Sequence, residues 1–254
     1  MALRDEIKDA RKDLLENGTF KEKISYFIDY YGLRTVIIIA VLALIGSFIY
    51  QQITKPDVLL NGIVLNVQSF KEGDPVRDLA DGFLEYIDMN SKEYDVSLNT
   101  SFTLHASNDP AKANDYETSY AMMIQCGAGA VDFISSPLNV LTSYGYNELF
   151  FNLEDLLPEE EMNIYEPYLL YVDLAVIEQI KEANDNNQDV NEITYPDPAK
   201  PEEMEKPVPV FIDVTKSEKM KNIYNDSSDT LVVGIVANAP NPERMSDFLT
   251  YLFE

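Results

Sequence analysis

One uncharged apolar run near the N-terminus limits what this chain can fold into more than any other feature. Thr35 to Tyr50 carries no charge and consists mainly of Ile, Val, Leu and Ala, and the uncharged stretch continues to Thr54. A helix of about 20 residues is roughly 30 Å long, which matches the hydrocarbon core of a bilayer. A buried core helix is the alternative, whereas a strand would not continue for so many residues. The run therefore predicts a transmembrane helix over residues 33–54, with the lipid bilayer as its partner.

The charges beside this run predict its orientation. Lys21, Lys23 and Arg34 precede it, and only Lys55 lies close behind it. The positive-inside rule then puts residues 1–32 in the cytoplasm. No small-residue cleavage site and no cysteine for lipidation follow the run, so we expect an uncleaved signal anchor and not a signal peptide. The expected location is the cell membrane, crossed once, with the C-terminal domain outside the cell.

Residues 2–31 have apolar residues at helical spacing, with a break at Asn17-Gly18-Thr19. Thr19 and Glu22 have the spacing of a capping box at the start of a second helix. This second helix would either lie along the inner membrane surface or simply extend the spanning helix, and the sequence leaves both open.

Charge and composition exclude several classes of protein. The chain has 19 Lys and Arg against 44 Asp and Glu, a formal net charge of -25, which argues against nucleic acid as a partner. All of that net charge follows the apolar run, because residues 1–34 hold equal numbers of acidic and basic residues. A single cysteine, Cys126, excludes an intramolecular disulfide, and the single histidine, His105, leaves too few ligands for a His/Cys zinc site. We expect no metal and no cofactor.

After a linker at residues 55–60, strands and helices alternate through residues 61–254. Asp74-Pro75 is typical of a helix start, because Asp accepts hydrogen bonds from the free amides and Pro fits the first turn. The other predicted elements are a strand at Ile63–Val67, a half-exposed strand at Val96–His105, a helix from Asp109-Pro110 to Gly127, a strand at Val131–Ile134, a helix opened by Ser136-Pro137 and closed by a left-handed Gly145, a strand at Tyr168–Val172 followed by a helix to Ala183, strands at Val208–Val214 and Leu231–Val236, and a last helix from Asn241-Pro242.

The segment 184–207 differs from its surroundings, since it is rich in Asp, Glu, Asn and Pro and has few apolar residues. We interpret it as an exposed or partly disordered acidic loop. The alternation elsewhere predicts an α/β fold with three layers, in which helices flank a mostly parallel sheet and one transmembrane helix precedes the domain.

Short motifs in two parts of the chain resemble known families. Residues 19–31 resemble the juxtamembrane segment of many single-span membrane proteins of Firmicutes. In the outer domain, Val-Asp-Phe-Ile at 131–134, Gly-Tyr at 145–146, Phe-Asn-Leu-Glu-Asp-Leu-Leu at 151–157 and the closing strand and helix at 233–252 resemble bacterial extracellular solute-binding proteins.

The resemblance covers most of residues 61–254 and implies the type 2 periplasmic-binding fold. The segment between Leu157 and Val208 is too short and too polar for the second lobe of a complete solute-binding protein. The resemblance therefore implies a single lobe, with the partner lobe reduced to the acidic loop.

Open α/β sheets bind ligands outside the carboxyl ends of their strands. Here those ends carry Ser69, Phe70, Ser135, Ser136 and Asn238, which supply hydroxyl, amide and aromatic groups suited to a small polar solute. Helix capping is the alternative role of the adjacent serines.

No catalytic constellation stands out in the sequence. His105 is predicted to be an exposed or hydrogen-bonded residue on the polar face of its strand, and Cys126 a small buried apolar residue. The sequence favours a non-enzymatic, membrane-anchored, extracytoplasmic binding or interaction module that serves a membrane complex.

Two alternatives remain for the function. The first is a transporter-associated receptor for a small polar solute, which predicts a concave polar pocket at the strand ends. The second is an enzyme, which would need a pair of carboxylates in a cleft that nothing in the sequence brings together. An interaction module predicts an exposed apolar patch instead.

Overall fold

The computed structural model describes Lys12 and residues 16–67, 73–106, 109–190, 193–224 and 228–254. The chain divides into two compact units, Met1–Lys55 and Pro56–Glu254. We describe each unit by itself.

The first unit contains one long helix, α1, Phe20–Thr54. The Thr19 side chain accepts a hydrogen bond from the Glu22 amide, and the Glu22 carboxylate accepts one from the Thr19 amide at 2.8 Å, so the predicted capping box is present. Because α1 is continuous, the segment before the apolar run extends the same helix. Within α1, the 20-residue stretch Gly32–Gln51 has a mean hydropathy of 2.3, is not buried, and is long and apolar enough to cross a membrane.

The second unit is built on a six-stranded sheet. Its strands are β1 Asp57–Val64, β2 Tyr94–Asn99, β3 Phe133–Pro137, β4 Leu169–Asp173, β5 Pro207–Asp213 and β6 Leu231–Ile235. They lie in the order β2-β1-β3-β6-β5-β4. Strand β1 pairs with β2 and β3 in parallel, whereas the pairs β3 with β6, β6 with β5 and β5 with β4 are antiparallel. Four of the six strands therefore point the same way, as a mostly parallel sheet requires, and β6 and β4 point the other way.

Helices cover both faces of this sheet and complete the predicted three layers. They are α2 Pro75–Tyr86, α3 Tyr116–Gly127, α4 Leu138–Gly145, α5 Leu153–Leu156, α6 Glu159–Tyr165, α7 Leu174–Asp185, α8 Glu218–Ile223 and α9 Met245–Phe253. One core includes Phe83 of α2 and Phe248 of α9, whose rings meet edge to face with centroids 5.2 Å apart. The other core includes Met122 of α3, Leu141 of α4 and Ile177 of α7.

Several local predictions are confirmed. The Asp74 side chain accepts a hydrogen bond from the Arg77 amide at 3.0 Å, with Pro75 in the first turn of α2. Cys126 is a buried free thiol, and burial raises its pKa to about 11. These features depend on short stretches of sequence, which is why the sequence predicts them.

Two predictions about β3 and α4 are wrong. Ser136-Pro137 is the end of strand β3 and not a helix cap, and α4 begins at Leu138 without a side-chain cap. Gly145 is the last residue of α4, and the left-handed residue after the helix is Glu148, with φ of 57°. A Cβ on Gly145 would lie 3.0 Å from the Phe211 ring, so close packing explains the glycine.

The segment between β2 and α3 also differs from its prediction. Strand β2 ends at Asn99, so His105 lies in irregular chain beyond it. Asp109-Pro110 starts a 3-10 turn, Pro110–Asn114, and α3 begins only at Tyr116. Beyond β2 the chain stays beside the end of β1 through Asn66, whose side-chain amide donates to the Leu104 carbonyl and accepts from the Leu104 amide, both at 2.8 Å.

The described part of the acidic loop packs on the domain. The Tyr195 ring stacks on Tyr146 with centroids 4.3 Å apart. The Asp173 carboxylate at the end of β4 accepts hydrogen bonds from the amides of Glu205 at 2.8 Å and Lys206 at 2.9 Å. The loop is therefore fixed at both its middle and its end, which its polar composition did not indicate.

Candidate functional site

The residues predicted for the ligand site do not converge. Ser69 and Phe70 lie outside the described residues. Ser135 and Ser136 are fully buried inside β3, so a solute has no access to them in this structure. Asn238 is exposed and donates a hydrogen bond to the Gly127 carbonyl at 3.1 Å, at the end of α3.

The direction of β6 explains why Asn238 lies apart from the serines. In the antiparallel pair, Phe133 faces Ile235 and Pro137 faces Leu231. The residues after β6 therefore lie at the edge where β3 begins, whereas Ser135 and Ser136 lie toward the edge where β3 ends. A single pocket cannot include both, which corrects the assumption that all these strands end at one edge.

A different cleft lies at the carboxyl edge of β1 and β2. Asn66, which follows β1 and has a left-handed φ of 61°, holds the Leu104 backbone as described above. The next residue, His105, is thereby placed at the carboxyl ends of these parallel strands, where open α/β sheets bind ligands. The cavity there has a volume of about 290 Å³ and is lined by His105, Lys112, Ala113, Asp115, Tyr116, Ser119 and Tyr144.

A histidine–aspartate pair forms the polar centre of this cleft. The Asp115 carboxylate accepts the backbone amide of His105 at 2.5 Å, and its other oxygen lies 2.8 Å from His105 Nδ1. The hydrogen bond to Asp115 raises the pKa of His105, although partial burial opposes this. Burial pushes the pKa of Asp115 up, but the hydrogen bonds from His105 outweigh it and lower the pKa. The pair is therefore stabilised in its charged form.

Two hydroxyl groups and a cation complete the cleft. Ser119 Oγ of α3 and Tyr144 OH of α4 are 2.8 Å apart and share a hydrogen bond. Burial raises the pKa of Tyr144, so its hydroxyl stays protonated. With Lys112 on the rim and the Tyr116 ring as an apolar wall, the cleft offers hydrogen-bond donors, positive charge and an aromatic surface.

The sequence drew attention to His105 but not to its partners. Asp115 lies ten residues away in irregular chain, and Ser119 and Tyr144 come from two helices that the sequence does not relate to each other. The one usable signal in the sequence was that His105 is the sole histidine, because a histidine that pairs with a carboxylate often belongs to a functional site.

A larger cavity of about 550 Å³ lies at the end of α2. Its carboxylates, Asp81, Glu85 and Asp88, are exposed, and Asp81 forms an ion pair with Arg77, so we interpret them as solvated surface. Among the residues that the structure describes, no group of three or more His, Cys, Asp or Glu side chains is arranged to hold a metal ion.

No protein-family model matches the chain. No curated protein sequence matches it either. Among solved structures, the chain is similar to the PBP AgtB from A. tumefacien R10 in complex with agropinic acid, with 10% identity over 77% of this chain and 78% of that one and a TM-score of 0.32.

Two further solved structures are similar at the same level. An ABC transporter substrate-binding protein from Bradyrhizobium japonicum USDA 110 has 10% identity over 77% of this chain and 78% of its own, with a TM-score of 0.32. A TRAP periplasmic solute binding protein from Ochrobactrum anthropi has 8% identity over 78% of this chain and 75% of its own, with a TM-score of 0.28. All three similarities combine a low TM-score with low sequence identity.

Proposed function

We propose that this protein is a non-enzymatic binding module held at a membrane by α1, with its α/β domain outside the cytoplasm. The observation that carries the proposal is the cleft around His105 at the carboxyl edge of β1 and β2. In this proposal residues 1–32 are cytoplasmic, 33–54 span the bilayer and 61–254 belong to the extracytoplasmic domain. The linker expected at 55–60 is shorter in the structure, because β1 already begins at Asp57. The chain would serve a membrane complex or a transporter as its binding component.

The chemistry of the cleft favours a small polar solute that carries a negative charge. Lys112 supplies positive charge, and the hydroxyls of Ser119 and Tyr144 supply hydrogen bonds. The negative charge of Asp115 is offset by its hydrogen bonds with His105, so the pair leaves Lys112 as the net charge of the cleft. The volume is near the lower limit of typical ligand pockets, which limits the solute to a small molecule or to one end of a larger one.

A thermal-shift screen of the full chain in phosphatidylcholine nanodiscs tests this proposal. The library holds small carboxylates, sugars, amino acids, short peptides and divalent cations. A ligand present at 100 times its dissociation constant adds about 2.7 kcal/mol of stability. We expect a shift from small anionic solutes and none from neutral sugars.

Variants of the cleft identify where the solute binds. Tyr144→Phe removes the half-buried hydroxyl, and His105→Gln leaves the Asp115 carboxylate without its imidazole partner, so both should abolish the shift. Lys181→Gln, a surface lysine paired with Glu148 outside the cleft, is the matched control and should keep it. A thermal shift that survives in both cleft variants would overturn the proposal that the solute binds in the cleft. If the protein unfolds cooperatively but no solute shifts its unfolding temperature, the solute-binding proposal is wrong and an interaction module remains.

The proposed topology has its own test. In a Cys126→Ser background, a cysteine introduced at Lys200 should react with a membrane-impermeant maleimide in intact cells, and one at Lys12 should react only after the cells are opened. The reverse labelling pattern, or a soluble product that lacks α1, would contradict the anchored orientation. Neither result would bear on solute binding in the cleft.

A further inference from the structure

Helix α3 presents an apolar face to the surroundings. Tyr116 is 76% exposed, Tyr120 60%, Ile124 54% and Met123 36%. The opposite side of the same helix carries Met122 and Cys126, which are buried in the core. We name the four exposed residues the α3 face. An ordinary surface helix has polar side chains on this side, so the α3 face is unusual for a helix that is already packed on its sheet.

The α3 face is a cluster and not a scatter of single side chains. The rings of Tyr116 and Tyr120 are stacked, with centroids 6.1 Å apart and planes 4° from parallel. In the described part of residues 56–254, the other exposed large apolar side chains lie singly on three different helices: Tyr86, Ile164 and Leu174. Clustered exposed apolar residues mark interaction sites, whereas single ones do not.

The spacing of these residues fits another helix. Tyr116, Tyr120 and Ile124 are four residues apart, and such a row forms the ridge that packs into the groove of a neighbouring helix. The row covers two turns, or about 12 Å along the axis. An extended strand would need an open sheet edge, which α3 does not offer.

Charge decides between the kinds of helical partner. The domain carries the whole net charge of -25, yet α3 contains a single charged residue, Glu117. A second copy of the domain or an anionic lipid surface would be repelled at long range, whereas a cationic partner would be attracted and steered toward the domain. The face itself then accepts the apolar side of that partner without burying charge.

We propose that the α3 face is a docking surface for a cationic amphipathic helix of another protein. The partner would place apolar residues against Tyr120 and Ile124, and the net negative charge of the domain would attract its Lys or Arg residues. Tyr116 borders both the α3 face and the cleft, whereas Tyr120 and Ile124 do not line the cleft, so the docking surface is tested at these two residues.

A model peptide can test this docking surface, because the chain contains no tryptophan. The probe is an amphipathic Leu/Lys helix of about 18 residues, long enough to cover the two turns of the α3 face, with one Trp on its apolar side. Its emission shifts to the blue when the Trp is buried. A Leu/Glu peptide of the same pattern is the charge control, and empty phosphatidylcholine nanodiscs give the lipid background for the full chain in nanodiscs.

We expect the Leu/Lys peptide to bind the full chain at least tenfold more tightly than the Leu/Glu peptide. Tyr120→Ser with Ile124→Ser should weaken that binding at least tenfold, and Ile124→Lys should weaken it further by repulsion. Ile164→Ser, an equally exposed apolar residue on α6, is the matched control and should bind like the wild type.

Three outcomes would overturn the proposal. Equal binding by the Tyr120→Ser/Ile124→Ser variant would show that the peptide follows the bulk charge. Equal binding of both peptides would show that charge does not select the partner. Dimers of the full chain that separate in the same variant would assign the α3 face to a second copy. Unchanged thermal unfolding of each variant establishes that it is folded.

Discussion

At the scale of single residues, the two neighbouring serines of β3 have opposite hydrogen-bonding states. Ser135 Oγ accepts a hydrogen bond from the buried Tyr224 hydroxyl at 3.3 Å. Ser136 Oγ is equally buried and has no hydrogen-bond partner among the described residues. A buried donor that loses its acceptor costs about 1–3 kcal/mol, whereas removing an unsatisfied hydroxyl is neutral or stabilising.

These two serines give a matched pair of variants. Ser135→Ala should lower the free energy of unfolding by about 1–3 kcal/mol, because the Tyr224 hydroxyl is left without a partner in the core. Ser136→Ala should leave it unchanged or raise it. Chemical denaturation of both variants gives the comparison. A larger loss for Ser136→Ala would mean that its hydroxyl is satisfied by a buried water or a ligand.

The His105–Asp115 pair makes stability depend on pH. The raised pKa of His105 means that its contribution is complete below about 6.5, the unfolded value, and is lost as the pH rises through the folded pKa. The lowered pKa of Asp115 means that its contribution is complete above about 3.9 and is lost as the pH falls through the folded pKa. The pair therefore stabilises the domain most between these two values.

The sole histidine makes this prediction easy to measure. The stability difference between the wild type and His105→Gln should be largest near pH 5–6 and should shrink toward pH 9. In the NMR spectrum, the one imidazole signal should titrate above about 6.5. Titration below that value would contradict the assignment of Asp115 as its hydrogen-bond partner.

At the scale of elements, Asp173 joins the acidic loop to the sheet. Its buried carboxylate accepts three backbone amides, from Ala175, Glu205 and Lys206. Burial raises its pKa, but these three hydrogen bonds outweigh burial and lower the pKa. The loop is therefore most firmly held above about pH 3.9 and is released as the pH falls through the folded pKa.

Asp173→Ala should free the loop and cost at least about 2 kcal/mol, because three amides lose a charged acceptor. Proteases should then cut between Tyr195 and Lys206, and the wild type should resist cleavage there. Asp197→Ala, which removes an exposed hydrogen bond to the Ala199 amide and an exposed ion pair with Lys200 in the same loop, is the control and should change neither measurement. Equal protection in both variants would show that other contacts hold the loop, such as the Tyr195–Tyr146 stack and the hydrogen bond from the Tyr171 amide to the Pro198 carbonyl.

At the scale of the whole molecule, self-repulsion opposes the folded domain. All of the net charge of -25 belongs to the part of the chain after α1. Its ion pairs, such as Lys206 with Glu178, are exposed and contribute little each. The repulsion among the excess acidic residues therefore outweighs these ion pairs, and screening by salt should raise the free energy of unfolding.

Salt should accordingly stabilise the protein. Raising NaCl from about 0.01 M to about 1 M shortens the Debye length from about 30 Å to about 3 Å. We expect the unfolding temperature to rise with NaCl and equally with KCl, as screening predicts for any monovalent salt. A falling unfolding temperature would mean that attractive pairs dominate the electrostatics of the domain.

Local features of the fold were predictable because their causes lie within a few residues. Uncharged apolar residues over twenty positions indicate a long helix in any context, and α1 contains that stretch. Caps such as Thr19 with Glu22 need only a spacing of three. The alternation of buried strands and helices follows from side-chain periodicity, which is why the α/β class and the three layers were predicted.

The tertiary structure decided the rest, because strand direction and contacts across the sheet come from packing between distant segments. Nothing local fixes β6 antiparallel to β3, yet that choice carries Asn238 to the opposite edge from Ser136. The cleft likewise joins three separate segments, at His105, Asp115 and Tyr144, which no spacing in the sequence relates. The sequence by itself determined the alternation of strands and helices, and only the packing of those elements decided which strand ends share an edge and which residues meet there.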